Sequence, residues 1–271
     1  MRRIGINTAV VADHLPRIGP VKCRLPNHGV FVLMSEGDDH LVNSIFWNGW
    51  EAYEPETVPF FCRLAMKARC VADIGAHIGF YSLLAASTNR NATVLAFEPL
   101  QQAYNRLLKN VKANRLSNVN CYNLAVGDTN GTGQLFHVAK GGIPSNSSLS
   151  DRFLKRGNEE YSAQNIDVVT FDDFVRAQQI PRVDLIKLDT EGTEHLALKG
   201  MKKTLQEHRP TIFCEVLKGM GNEEYLEACL RPLGYSYYWL SAKGPDRVSK
   251  IEGRSTEWNY IFTVEKLEDL K

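Results

Sequence analysis

The spacing of apolar positions changes character near residue 70. From there on, short runs of aliphatic and β-branched residues alternate with longer segments whose apolar residues recur every three or four positions. The short runs Val71–Ile74, Thr93–Phe97, Val119–Leu124, Val183–Leu188 and Thr211–Val216 predict buried strands. The longer segments predict helices over Phe80–Ser87, Gln101–Asn114, Glu194–Gln206 and Glu223–Leu230. In Gln101–Asn114, the apolar Tyr104, Leu107, Leu108 and Val111 share one face, as a helix lying on a sheet requires. Val168–Phe171 and a helix over Asp172–Gln179 keep the rhythm, and Tyr235–Leu240 with Trp258–Val264 predict a terminal antiparallel pair. Strands separated by helices imply a parallel sheet covered on both faces. The expected fold class is therefore α/β, a doubly wound and mostly parallel sheet of seven strands with the last one antiparallel.

Two segments depart from that rhythm. In residues 1–69, Gly19, Pro20, Pro26, Asn27 and Gly29 punctuate short β-rich stretches such as Val30–Met34. Pro55 to Arg69 then predicts a helix, with Glu54 and Glu56 near its start, where carboxylates suit the helix dipole. We read 1–69 as an N-terminal cap or extension in front of a domain spanning 70–271. Residues 128–165 carry Gly131, Gly133, Gly141, Gly142 and Pro144 among clustered Ser and Asn, which predicts a β-excursion. Its loop, residues 140–160, is expected to order over the site as a lid.

Composition narrows the partners. A chain of 271 residues with 32 Lys and Arg against 31 Asp and Glu has a formal charge of +1 and no long basic run, so the electrostatic footprint of a nucleic-acid binder is missing. No stretch approaches the ~18 apolar residues of a membrane span. Asn7, Asp13 and His14 interrupt any signal-peptide core behind Arg2 and Arg3. The six cysteines, Cys23, Cys62, Cys70, Cys121, Cys214 and Cys229, form no C-x-x-C pair, and several lie in apolar runs. They read as small core residues of a reducing compartment rather than zinc ligands or disulfides. The expected setting is cytoplasmic, with a small-molecule acceptor as partner and neither nucleic acid nor membrane.

The sharpest motif is Val71-Ala72-Asp73-Ile74-Gly75-Ala76-His77-Ile78-Gly79-Phe80, a strand running into two glycines and then a helix. Glycines there permit a tight turn and close approach of a ligand. The third glycine of the dinucleotide fingerprint is missing, which disfavours a nicotinamide dehydrogenase. S-adenosylmethionine (SAM) has no phosphate, and its ammonium suits an acidic residue such as Asp73. Glu98 in Ala96-Phe97-Glu98-Pro99 ends the next predicted strand, where an acid accepts both ribose hydroxyls of an adenosyl group. Leu124-Ala125-Val126-Gly127-Asp128 ends the third, where an adenine would lie. Asp128 either bonds that adenine or stabilises the turn before Thr129-Asn130-Gly131.

Asp73 to Ser82, Phe97-Glu98-Pro99 and Val183 to Glu194 occur in that order, supported by Tyr53-Glu54-Pro55, Asn146-Ser147-Ser148 and Arg209 to Glu215. The chain thereby resembles the FkbM family of SAM-dependent methyltransferases over roughly residues 50–240. One departure is His77, where the family usually has asparagine. The resemblance implies a class I, Rossmann-like methyltransferase that methylates a hydroxyl of a sugar, polyketide or other natural product. It places Tyr53, Asp73, Gly75, His77, Gly79, Glu98, Pro99, Ala125 and Val126 at the cofactor.

Methyl transfer to an alcohol requires alignment of oxygen, carbon and sulfur, and removal of a proton from a weak acid. Asp189 and Glu191 follow the fourth predicted strand of the parallel sheet and Glu215 closes the fifth, so these carboxylates are the expected catalytic residues. They could act as bases or hold Mg²⁺. Glu194 and His195 belong either to the site or to the first turn of a helix, where acids are favoured. Lys187, inside an apolar strand, is expected to pair with one of the acids, since an unpaired buried charge is costly. Methylation of an amine, or a SAM-fold protein that binds without turnover, remain open at this stage.

Overall fold

Three sheets and their connections are laid out in the computed structural model, which describes residues 15–25, 29–139, 142–144, 147–150 and 160–266. A hairpin of β1 (Ile18–Arg24) and β2 (Val30–Glu36) leads to helices α1 (His40–Asn48) and α2 (Val58–Lys67). The alternating part follows as β3 (Cys70–Ile74), α3 (Phe80–Thr88), β4 (Thr93–Phe97), α4 (Gln101–Ala113) and β5 (Val119–Tyr122). The excursion comprises β6 (Ala125–Val126), β7 (Gly131–Val138), β8 (Ser147–Ser148) and β9 (Tyr161–Val169). Then come α5 (Phe171–Ala177), β10 (Leu185–Leu188), α6 (Glu194–Lys199), α7 (Lys202–Glu207), β11 (Thr211–Glu215), α8 (Glu223–Leu230), β12 (Ser236–Ser241), β13 (Gly244–Val248) and β14 (Asn259–Thr263).

The main sheet has the order β13-β12-β14-β11-β10-β3-β4-β5. Strands β3, β4, β5, β10 and β11 are mutually parallel, and the last strand, β14, inserts antiparallel between β11 and β12. Seven of these strands are the expected ones. The eighth, β13, is an addition that pairs with β12 at the edge. Its Gly-Pro-Asp-Arg-Val sequence has no apolar alternation to announce it.

Residues on each strand alternate between two cores, as the pleat dictates. Val71, Val94, Ala96, Leu185 and Phe213 face one core together with the N-terminal hairpin and α2–α4. Ala72, Ile74, Leu95, Phe97, Ile186, Leu188 and Cys214 face the other, beneath α5–α8. The N-terminal segment thus closes one face of the sheet, with Phe31 edge-on to Phe80 at 5.8 Å.

Two expectations are corrected. Val168–Phe171 is not a strand of the main sheet: Val168 and Val169 end β9 and pair with β6 in a second, four-stranded sheet, while Phe171 opens α5 behind the Thr170 cap. Glu194–Gln206 is two helices, because Asp172 caps the second one from outside. Its carboxylate accepts from Lys203 N (2.9 Å), Thr204 N (2.8 Å) and Thr204 Oγ1 (2.8 Å), and the chain breaks at Gly200 and Met201 to present them.

The hairpin is fixed to the sheet by polar side chains of α4. Asn114 accepts from Val32 N (2.6 Å) and donates to Val32 O (2.7 Å), so its amide substitutes for a neighbouring strand. Asn110, fully buried, accepts from Met34 N (2.7 Å) and donates to Ile78 O (2.8 Å). Arg106, 3% exposed, donates to Met34 O and pairs with Asp38 and Glu36. The cysteines of the described residues are all free, and burial pushes the thiols of Cys23 and Cys70 up to about 12. No helix among the described residues is long and apolar enough to cross a membrane.

Asn110→Ala strands the buried Ile78 O, at about 1–3 kcal/mol, and the half-buried Met34 N, at less. Urea unfolding is expected to show a midpoint lowered accordingly with an unchanged slope. A midpoint equal to wild type would mean that the hairpin does not depend on this amide.

Candidate active site

After β3 the chain moves outward to β4 and β5, then returns to place β10 on the other side of β3. The crevice at such a reversal, beyond the carboxyl ends of the strands, is where open α/β sheets bind ligands. A cavity of about 720 Å³ lies there. Its walls come from the ends of β3, β4, β10 and β11, from His40–Ser44 and Ala52–Glu56 of the N-terminal segment, and from the loop 256–258. The excursion contributes Ser147 and Leu149. Much of the expected lid, including 140–141, 145–146 and 151–159, lies outside the described residues. The described part is anchored by Ile143 N to Asp38 O (2.7 Å) and by Ser148 Oγ to Glu191 O (2.8 Å).

Of the residues expected at the cofactor, Tyr53, Gly75, His77, Glu98, Pro99, Ala125 and Val126 line this cavity. Asp73 and Gly79 do not. Asp73 is buried behind the wall, where Ser82 Oγ donates to it at 2.6 Å and burial pushes its carboxyl up to about 6. Gly79 has φ +92°, and a Cβ there would meet Leu107 Cδ1 at 2.4 Å, so it serves helix packing. Gly75 has φ +83°, and its Cβ would lie 1.7 Å from Asp189 O; this glycine lets β3 and β10 meet at their ends.

Glu98 is 4% exposed and accepts from His77 N (2.7 Å) and Leu100 N (2.8 Å). Burial raises its carboxyl to about 7 against the pull of those two bonds. Each oxygen has acceptor capacity beyond one backbone N–H, so the carboxylate remains able to receive hydroxyls from the cavity. His77 has φ +50°, a left-handed conformation in which both asparagine and histidine are enriched. That shared tolerance accounts for one replacing the other. Its Nε2 lies 4.0 Å from Asp39 Oδ2, and burial holds the imidazole below its ordinary value. Asp128 is exposed and outside the lining, so the turn is the role its position supports.

Asp189, Glu191 and Glu215 each bring a carboxylate oxygen within 4.8 Å of the others. Lys187, 1% exposed on β10, donates to Asp189 Oδ2 at 2.8 Å and sits 5.0 Å over the Tyr81 ring. Burial pulls its ammonium down, but Asp189, Glu54 and Glu215 outweigh that and hold it above its ordinary value. Burial, then the charges of Asp189 and Glu194, hold Glu191 well above the usual carboxylate range, and burial, then Asp189 and Glu191, do the same to Glu215. Glu215 Oε2 is buried without a partner.

Glu194 is a loop clamp rather than a site residue. Its Oε1 accepts from Thr190 N (3.0 Å), Thr190 Oγ1 (3.1 Å) and Gly192 N (3.0 Å), fixing the turn in which Glu191 has φ +53°. His195 packs on Tyr225, outside the cavity lining. Sequence reading passed over Glu54, which lines the cavity and accepts from Tyr81 OH (2.6 Å) and Asn259 Nδ2 (2.9 Å). Only the adjoining Tyr53 and Pro55 could have flagged it.

A crevice at a strand-order reversal, with the acidic end of β4 and a carboxylate trio in its lining, is a ligand site of the kind that open α/β sheets build. The family model for the methyltransferase FkbM domain matches residues 73–237, more than half of the chain. The chain belongs to the FkbM methyltransferase family. It is 28% identical over 210 residues to "Methyltransferase sdnD" of Sordaria araneosa, covering 68% of this chain and 80% of that one. It is 23% identical over 191 residues to "Methyltransferase 1" of Beauveria bassiana (strain ARSEF 2860), covering 65% and 74%. A crystal structure of methyltransferase FkbM from Methylobacillus flagellatus KT superposes with a TM-score of 0.47 at 17% identity; 83% of this chain is covered, and the chain spans 55% of that protein.

Asp73 binds its proton more tightly folded than unfolded, so it lends stability fully below about pH 3.8 and loses it as pH rises through about 6. Asp73→Asn mimics the protonated form. The urea midpoint of wild type minus that of the variant is expected to fall between ~pH 4 and ~pH 7. A constant difference would show that Asp73 ionises freely.

Proposed function

We propose that this protein transfers a methyl group from SAM to a hydroxyl of a small natural product or sugar. The observation that carries this reading is the convergence of Glu98 and the Asp189, Glu191, Glu215 trio on one cavity at the strand-order reversal. The donor set fits SAM. Glu98 can accept two hydroxyls, Ala125 and Val126 offer an apolar wall, and carboxylates suit a molecule that carries an ammonium and a sulfonium. When bound, SAM supplies an electrophilic methyl group.

The chain's own residues then have three tasks. Asp189, held by Lys187, fixes the floor of the cavity and its charge. Glu191 and Glu215, made stronger bases by burial and by the charge of Asp189, are placed to take the acceptor hydroxyl's proton. Tyr53 and Glu54 close the wall contributed by the N-terminal segment. The trio also has the oxygen ligands that Mg²⁺ prefers. We favour metal-free base catalysis because Lys187 already supplies a cation to Asp189.

Glu98→Ala is expected to weaken S-adenosylhomocysteine binding by about tenfold or more, the loss of a charged hydrogen-bond partner, read by calorimetry. Unchanged affinity in a folded variant would remove Glu98 from the cofactor site.

Asp189→Asn removes the charge that strengthens Glu191 and Glu215 as bases, so it is expected to lower kcat by up to roughly 10²–10⁴, the range of general-base catalysis, while cofactor affinity holds, and to lower the unfolding midpoint because Lys187 loses its partner. Full turnover in that variant would reduce Asp189 to a structural residue. EDTA separates the chemistries: activity lost with it and restored by Mg²⁺ would replace base catalysis by metal catalysis.

A further inference from the structure

The cavity carries more negative charge than the transfer reaction accounts for. Besides Glu98 and the catalytic trio, its lining includes Glu54, Glu56 and Glu257, and no lysine or arginine among the described residues. Lys187 lies outside that lining and is committed to Asp189 at 2.8 Å. Arg254 is stacked on Trp239 at 3.8 Å, also outside it. His77 lines the cavity, but burial holds its imidazole towards the neutral form.

The three further acids form a group of their own. Glu54 comes from the N-terminal segment, bound to Tyr81 and Asn259. Glu257 comes from the loop before β14, where its Oε1 accepts from Ala242 N (2.7 Å) and its φ is +52°. Glu56 stands near both, and burial followed by the charges of Glu54 and Glu257 raises its carboxyl. Trp258 and Tyr53 line the same space. A second sign of a missing cation is Glu215, 7% exposed, whose Oε2 is buried and unpartnered within the same cavity. SAM bears a single net positive charge, so the excess remains after the cofactor is bound. Lys187 offsets one charge among Asp189, Glu54 and Glu215, and carboxylates gathered in excess of their countercharge repel one another and bind a cation with all their fields at once.

On the methyltransferase reading above, we propose that the acceptor is a cation: a hydroxylated molecule carrying a protonated amine, whose charge sits among Glu54, Glu56 and Glu257 while its hydroxyl meets Glu191 and Glu215. Acceptors bearing a carboxylate or phosphate are refused. Specificity of this kind acts by repulsion as well as attraction.

The test uses three matched phenols, tyramine, tyrosol and 4-hydroxyphenylacetate, which are cationic, neutral and anionic on one scaffold. Their binding to the full-length protein saturated with S-adenosylhomocysteine is measured by ligand-observed NMR in EDTA, and again with Mg²⁺. Tyramine is expected to bind at least about tenfold more tightly than tyrosol, the order of a charge-assisted contact, with the acid weaker still. The double variant Glu56→Gln with Glu257→Gln should bring tyramine to the level of tyrosol while S-adenosylhomocysteine affinity stays within about twofold. The amide that replaces the Glu257 carboxylate keeps an oxygen to receive Ala242 N. Tyramine binding no better than tyrosol, including no detectable binding of either, overturns the proposal. So does a preference that survives in the double variant, or one abolished by Mg²⁺, which would make the metal the occupant. Failure of wild type to bind S-adenosylhomocysteine would instead refute the methyltransferase reading itself.

Discussion

A buried ammonium organises the active end of this molecule. Lys187 stands in the middle of the sheet, in register with Asp73 on one side and Phe213 on the other, with 1% of its surface exposed. A charge so placed is tolerated only with partners, and the chain provides them from three directions: Asp189 from its own strand end, Glu215 from β11 and Glu54 from the N-terminal segment. The groups that make the lysine tolerable are the same ones that line the cavity. Stability and chemistry are therefore coupled there, and an exchange that improves one is expected to disturb the other.

That coupling extends to the cap. Glu54 is gripped by Tyr81 on α3 and Asn259 on β14, residues far apart in the chain, so the N-terminal segment is fixed to the sheet at the site itself. Its other attachment, through Arg106, Asn110 and Asn114 of α4, lies next to the glycine turn, where Asn110 also holds Ile78 O. The turn that carries His77 is thus positioned partly by the cap that covers it.

What was legible in the sequence was local. β4 and α8 begin and end where their apolar pattern does, and the trio was located because strand ends can be read from the residues that follow them. Long-range effects were not legible. Asn110, Asn114 and Arg106 share a polar helical stripe that reads as a solvent face, since nothing in α4 announces that a hairpin 72 to 82 residues earlier will need these side chains. Asp172 reads as an acid in the first turn of its own helix, yet it caps another. Asp73 and Gly79 belong to the strongest motif but serve packing and a buried hydroxyl, because a motif records which residues are needed and not which of them a ligand touches. Glu56 and Glu257 lie in different parts of the chain, and only folding brings their charges together.

The amides that Asn110 and Asn114 lend to β2 also have a meaning for the protein in company. An unpaired strand edge is a template on which other chains can assemble. Here the exposed flank of the hairpin is claimed from within, by side chains that satisfy Val32 and Met34 and cannot themselves be extended into a further strand. The opposite flank, β1, carries Pro20, Lys22 and Arg24, which discourage recruitment by missing donors and by charge. Among the described residues, a hairpin finished on both sides in this way is protected from templating β-aggregation even though it contributes Phe31 and Leu33 to the core.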